Sequence, residues 1–333
     1  MSNKSTIFNS QLTVVDHAYI DTIGNVVGGS FNPDFIVTGD VDPVENVVVD
    51  FSTIKKDIKR IVDANEDGFD HKLWIIEGFS NATYQEYYTD IEQQQRVVVI
   101  TPTTRLDMPR NALKVFTAPD HSCESIGQAI GEWVELHLKK QYPSVTVRCL
   151  ANLITHIPAV PFECPVDADG NTVQEQNVVS ANAAVQFGII KPRAALFTYV
   201  HGLKESTSFG CKSLAHGHLS YITAFPVTPE NHAGVNKLLA HIAESLDGST
   251  FIRADNVTAH TDSEVSIAYD TTRGIFSAIY KTSHVKYRIL PTETTIEHLA
   301  NMVRDDFAED FRKLGIKEVF VSEGLTKGAI AYL

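Results

Sequence analysis

Three histidines and a cysteine crowd one short stretch, HGLKESTSFGCKSLAHGH at 201–218, whose other residues are mostly Gly, Ser, Thr and Lys. His216 and His218 are two apart, so on a strand both imidazoles face the same way, with Gly217 leaving room between them. His201 precedes them in FTYVHGL, which also has a strand pattern. A hairpin between the two strands would bring the third imidazole to the same point. Three neutral nitrogens favour zinc, and three protein ligands leave a fourth position open, as in a catalytic site. Cys211 falls in the loop between the strands. Near a cation its thiolate is favoured, which makes it a base or nucleophile at neutral pH. As a fourth ligand it would instead close a structural site of three His and one Cys, and the spacing leaves both readings open. A His-x-His pair alone also suits solvated strand surface; His201 and Cys211 in the same segment are what point to a metal.

The elements that must hold such a site are legible as periodicities. Residues 47–62 (VVVDFSTIKKDIKRIV) read as a β-rich run and then a helix with Ile54, Ile58, Ile61 and Val62 on one face. A second helix fits 122–140, with Ile126, Ile130, Trp133, Val134 and Leu138 inward, followed by a strand at SVTVRCL. In the C-terminal half HGHLSYITAF alternates like a strand, and VNKLLAHIAESL is amphipathic through Val235, Leu238, Leu239, Ile242 and Leu246. Ile296, Leu299, Val303, Phe307, Phe311 and Leu314 form one helical stripe, Gly315 stops it, and KEVFVSEGL is a strand.

Each half therefore runs strands, helix, extra strands, helix, strand. A shift of about 184 residues places His17 on His201, Asn32-Pro33-Asp34 on His216-Gly217-His218, and Ser122–Ile130 near Thr294–Met302, which an internal duplication explains economically. The expected organisation is α+β: a first unit over 1–155, a linker over 156–190 that lacks a sustained period, and a second unit over 191–333.

The 333 residues carry 43% apolar side chains and a formal net charge of −13. The acidic balance argues against a broad nucleic-acid surface but leaves room for a local basic pocket that takes a phosphorylated small molecule. No run approaches a membrane span and MSNKSTIFNSQL lacks a signal-peptide core, so a cytoplasmic location is expected. Cys123, Cys149, Cys164 and Cys211 are too sparse for a disulfide framework and read as reduced thiols.

These motifs resemble the 6-pyruvoyltetrahydropterin and 6-carboxytetrahydropterin synthase family, in which a lone His, a Cys ahead of His-Gly-His, a V-x-D-F-x-x-L-K strand-to-helix signature, an Asp-His pair and a late Glu recur. The second half matches at His201, Cys211, His216 to His218 and Glu323; the first half matches at VVVDFSTIKKDI and at Asp70-His71 in FDHKLW. The departures are complementary. The first half has Asn32-Pro33-Asp34 and Arg148-Cys149 where the zinc histidines and the glutamate belong, and the second has Asp255-Asn256 near the place of Asp-His. Segments 80–117 and 257–290 are longer than the family needs.

The resemblance implies two tandem tunnelling-fold units, each an antiparallel sheet with two helices on one face, oligomerising into a β-barrel ring. It implies a pterin triphosphate substrate, zinc as cofactor, no nucleic-acid or membrane partner, and a homo-oligomer. In that reading zinc sits on His201, His216 and His218, Cys211 and the Asp70-oriented His71 exchange protons, and Glu323 fixes the pterin ring. Glu124 either helps hold the pterin or complements a helix dipole. The implied product is 6-carboxytetrahydropterin, on the route to queuosine-type deazaguanines, with 6-pyruvoyltetrahydropterin as the alternative; a non-catalytic zinc-stabilised scaffold is the reading of another class. His121, His232, His241 and His298 read as helix-surface or cap residues without a role.

Overall fold

In a computed structural model, residues 4–64, 66–89, 93–152, 201–202, 206–209, 216–218, 221–228, 230–323 and 327–333 are described. The first half runs β1 (Lys4–Asn9), β2 (Val15–Ile20), β3 (Val26–Asp40), α1 (Phe51–Val62), β4 (Leu73–Glu77), β5 (Thr83–Thr89), β6 (Gln94–Ile100), β7 (Thr104–Pro109), β8 (Leu113–Thr117), α2 (Cys123–Leu138) and β9 (Thr146–Asn152). The second runs β10 (His201–Gly202), β11 (Ser206–Phe209), β12 (His216–His218), β13 (Tyr221–Phe225), α3 (His232–Leu246), β14 (Thr250–Arg253), β15 (Val257–His260), β16 (Glu264–Thr271), β17 (Gly274–Lys281), β18 (Tyr287–Leu290), α4 (Ile296–Asp306), α5 (Ala308–Lys313), β19 (Glu318–Ser322) and β20 (Gly328–Tyr332). The fold is α+β.

The helices form where the apolar stripes place them. In α1, Ile54, Ile58 and Val62 are buried, and the Asp50 side chain accepts from Thr53 N at 2.9 Å as the N-cap, satisfying one of the orphan donors of the first turn. That cap replaces part of the strand expected at 47–50: the Asp50 carboxylate serves the helix start, and no strand forms there. In α2, Ser122 caps Ser125 N, and Ile126, Ile130, Val134 and Leu138 are buried. Gly127 lets α2 lie against β9, since a Cβ there would meet the Cys149 carbonyl oxygen at 2.7 Å. The single C-terminal helix divides at Phe307 (φ −119°) into α4 and α5. The stripe survives the break, because Val303 and Phe311 are both fully buried.

The sheets are mixed, where wholly antiparallel ones were expected. In the first half the order is β1-β3-β2-β4-β8, with β9 also on β3. The long β3 pairs antiparallel with β2 through its first residues and with β1 and β9 through its last. After α1 the chain returns to lay β4 parallel to β2, and β8, reached through the β5-β6-β7 insert, follows parallel to β4. In the second half one sheet has the order β12-β11-β14-β18, with β11, β14 and β18 parallel. The other has the antiparallel order β10-β13-β19-β20.

The two long inserts have a joint purpose. Strands β5, β6 and β7 from 80–117 and β15, β16 and β17 from 257–290 make one six-stranded antiparallel sheet, β15-β16-β17-β7-β6-β5. Its seam is β7 against β17, Thr104 opposite Tyr280 and Asp107 opposite Ser277. For this reason the compact units depart from the expected boundaries. One contains Met1–Leu153 together with Asn256–Val285, and the other contains Gly217–Asp255 and Lys286–Leu333. The linker expected at 156–190 lies outside the described residues.

Each unit has its own core. Phe31, Phe35, Ile54, Ile58, Trp74 and Ile130 belong to that of the first unit. Phe225, Leu239, Phe251, Leu299, Val303 and Phe320 belong to that of the second. Among the described residues no helix is long and apolar enough to cross a membrane.

Candidate active site

The best-defined chemical group in the first unit is the Asp70–His71 pair. After α1 the chain turns back, with Phe69 N donating to Val62 O at 2.8 Å, and then crosses the start of β2. There His71 N donates to Asp16 O at 2.7 Å, and Asp16 N donates to Asp70 Oδ1 at 2.9 Å. This reciprocal pair fixes the carboxylate. Its other oxygen lies 2.5 Å from His71 Nδ1, so an Nδ1–H donated to Asp70 leaves Nε2 to exchange a proton. His71 holds φ +52°, a left-handed conformation that costs a non-glycine residue on the order of 1 kcal/mol. Its side chain remains about one-third exposed. Asp16 is buried and accepts from Ser30 Oγ at 2.7 Å, which ties the site to the β2–β3 hairpin.

Cationic side chains gather behind this pair. Lys72 has no exposed surface and donates to Asn111 O at 2.6 Å. Burial, with Arg273 and Lys114 nearby, pulls its ammonium from 10.5 down to about 7. Lys114 donates to Asp67 O at 2.6 Å and lies 3.3 Å from the centre of the Trp133 ring, and burial brings its pKa to about 8. Lys114, Trp133, Arg110, Asn111 and Gln94 line a cleft of about 580 Å³. Arg273, from the turn between β16 and β17, donates to His71 O at 3.0 Å and to Asn111 O at 3.3 Å.

The first-half counterpart of the metal histidines has other work. His17 is fully buried on β2, stacked 3.5 Å from Trp74, with Nε2 at 2.8 Å from Nε2 of His121. Gly29 gives it clearance, since a Cβ there would stand 2.4 Å from His17 Nε2. Burial, with His121 beside it, holds His17 well below the usual histidine range, and burial brings His121 to about 4. Two neutral rings sharing one proton between their Nε2 atoms fit this geometry. His121, to which the sequence assigned no role, is thus the partner of His17. Asn32 is buried on β3, and Asp34 Oδ1 accepts from Gln11 N at 3.2 Å.

In the second half His201 falls on β10, and His216 and His218 fall two apart on β12. The hairpin expected to join these strands does not form: β10 pairs with β13, while β12 is the neighbour of β11. The four-residue β11 comes between them in sequence and takes the partner position on β12. Cys211 lies outside the described residues. Among the described residues no three His, Cys, Asp or Glu side chains converge as a metal site. Glu323 directly follows β19; its N–H donates to Lys327 O at 2.9 Å, and the Lys327 ammonium stands 3.9 Å from its carboxylate. Glu124 is exposed in the first turn of α2, where a carboxylate complements the helix dipole.

No family model matches the chain, and no curated protein sequence does. Among solved structures it is similar to 6-pyruvoyl tetrahydropterin synthase from Plasmodium vivax, at 15% identity over 44% of this chain and 89% of that one, with a TM-score of 0.33. A catalytic-residue mutant of the same enzyme aligns at 16% identity over 45% of this chain and 91% of that one, with a TM-score of 0.32. The Plasmodium falciparum enzyme aligns at 14% identity over 45% of this chain and 99% of that one, with a TM-score of 0.30. Each alignment takes in less than half of this chain and most of the other.

Proposed function

We propose that this chain is a zinc-dependent lyase that converts 7,8-dihydroneopterin triphosphate and water to 6-carboxytetrahydropterin, acetaldehyde and triphosphate. The observation that carries the reading is the Asp70–His71 pair, a carboxylate fixed by a backbone N–H and bonded to an imidazole that keeps access to solvent. Such a pair is arranged to take and return a proton at Nε2.

The remaining parts are supplied by the second half. Three imidazole nitrogens, two of them at alternate positions of β12, are a donor set that suits zinc, and His201, His216 and His218 would hold it. Bound there, the ion supplies Lewis acidity toward the hydroxyls of the substrate side chain. Cys211 takes the proton released from the substrate on one face, and His71 serves the other. Glu323 presents two carboxylate oxygens to adjacent N–H groups of the pterin ring, a bidentate contact that fixes its orientation.

The same proposal makes the halves tandem tunnelling-fold units that have divided the labour, one keeping Asp-His and the other the metal ligands. The strand orders support this: β12-β11-β14-β18 follows β3-β2-β4-β8, with β11-β14-β18 parallel as β2-β4-β8 is, and β10-β13-β19 follows β1-β3-β9, antiparallel in both. A homo-oligomer would bring complementary halves of neighbouring chains together.

The test is incubation of the zinc-loaded protein with 7,8-dihydroneopterin triphosphate and detection of products by mass spectrometry. Acetaldehyde with 6-carboxytetrahydropterin is expected. A 6-pyruvoyl product would reassign the reaction within the same chemistry, and intact substrate after prolonged incubation would refute catalysis.

A further inference from the structure

The Asp70–His71 pair is reached by a residue that belongs to no motif. Arg273 sits in the tight turn between β16 and β17, where its N–H donates to Thr271 Oγ1 at 3.1 Å and Thr271 Oγ1 donates to Gly274 O at 2.7 Å. Gly274 holds φ +128° and has the Gln94 side chain 2.4 Å from where a Cβ would be, so the turn is seated against the start of β6. The β7–β17 register fixes how far this hairpin extends, since Ser277 opposite Asp107 brings the turn level with Pro109 and Asn111. From there the guanidinium reaches two backbone carbonyls, those of His71 and Asn111. It is largely removed from water and feels the charges of Asp70 and Glu66.

We infer that Arg273 is the positioning residue of the acid–base pair: it clamps the strained His71 backbone and sets the electrostatic field in which the imidazole titrates. The clamp acts where the backbone is least able to hold itself, at the left-handed His71. A carbonyl held by a guanidinium N–H keeps its peptide plane, and with it the direction of the side chain. The charge acts on proton affinity. Carboxylates of Asp63, Glu66, Asp67 and Asp70 surround the pair or its cations and favour the imidazolium. Arg273, with Lys72 beside it, opposes them. A cation beside an imidazole disfavours its protonation, so Arg273 holds His71 in a more neutral state than the carboxylates alone would allow.

This assignment rests on reading Asp70–His71 as an acid–base pair, but its test does not need turnover. In the full-length protein, the His71 imidazole is followed by heteronuclear NMR against pH, assigned by its loss in His71→Gln. Arg273→Gln is expected to raise the titration midpoint of His71 by about half a unit to one unit, from Coulomb's law at the separations of neighbouring groups. Arg273→Lys keeps the charge and one donor and is expected to return the midpoint most of the way. If the lyase activity is present, Arg273→Gln lowers kcat about tenfold with KM nearly unchanged, as misorientation of a proton-transfer group predicts. An unmoved His71 midpoint in Arg273→Gln makes Arg273 a structural strut and overturns the inference, whatever the activity. Should that variant not fold, the wild type decides: the Arg273 side-chain resonances, assigned through Arg273→Lys, are expected to shift as His71 titrates, and their failure to do so overturns the inference equally. Absence of turnover with a shifted midpoint would count against the lyase reading alone.

Discussion

Lys72 offers a direct test of the electrostatics behind the candidate site. Lys72 is buried, its ammonium donating to the Asn111 carbonyl, and this burial, with Arg273 and Lys114 nearby, brings its pKa to about 7 from an ordinary 10.5. Because the folded value is the lower one, the unfolded chain binds the extra proton between pH 7 and 10.5, so stability rises with pH across that window. Below pH 7 both states are protonated, and the folded state bears the full penalty of about 5 kcal/mol. By pH 9 the penalty has fallen by about 3 kcal/mol. Lys72→Met removes the titrating group while keeping a side chain of similar length, and Arg273 still serves the Asn111 carbonyl. The two tryptophans, Trp74 and Trp133, are both in the first unit, so their fluorescence follows its unfolding in urea. From pH 6 to pH 9, wild type is expected to gain about 3 kcal/mol relative to Lys72→Met. Comparing the two proteins cancels every other titrating group. Parallel stability curves would show that Lys72 titrates in the folded protein as it does in the unfolded chain, and the picture of a crowded cation cluster would fail.

Three further expectations concern the second half. His216→Ala should strip most of the bound zinc from purified protein, whereas His17→Ala should leave metal content unchanged, because His17 Nε2 is already engaged by His121; equal losses in elemental analysis would contradict the division of labour. Cys211→Ala should retain zinc and lose on the order of 10² to 10⁴-fold in turnover as an acid–base group, and loss of zinc instead would make Cys211 a ligand. Glu323→Gln should weaken pterin binding about tenfold or more, measured by fluorescence titration, since one acceptor oxygen becomes a donor. Unchanged affinity would take Glu323 out of the pocket.

Some of this architecture was legible in the sequence because its causes are local. The stripes of α1 and α2 come from residues three or four apart, and Ile54, Ile58, Ile126 and Ile130 are all at zero exposure. The break at Phe307 was not legible, since Val303 and Phe311 keep a helical spacing across it. Nor was the parallel placement of β4 beside β2, which depends on where the chain returns after α1 rather than on either strand's pattern. At the site, Asp70 and His71 are adjacent in sequence and could be paired on sight. Arg273 is some two hundred residues from His71, and His121 about a hundred from His17, so no spacing rule connects them. Lys72 and Lys114 belong to no motif, and their burial comes only from the assembled fold.

The β7–β17 seam has a consequence for how this chain is made. Thr104 waits for Tyr280, a partner about 175 residues later, and closing so long a loop is a late and slow event. At ordinary rates of synthesis, β7 leaves the ribosome roughly ten to thirty seconds before β17 exists. Throughout that interval the nascent chain carries a three-stranded hairpin, β5-β6-β7, with the backbone of Thr104 to Asp107 exposed as an open edge. A chain terminated between 155 and 256 would keep that edge open permanently and would be expected to pair with copies of itself, so the length of translation sets a period of aggregation risk that the completed fold no longer has.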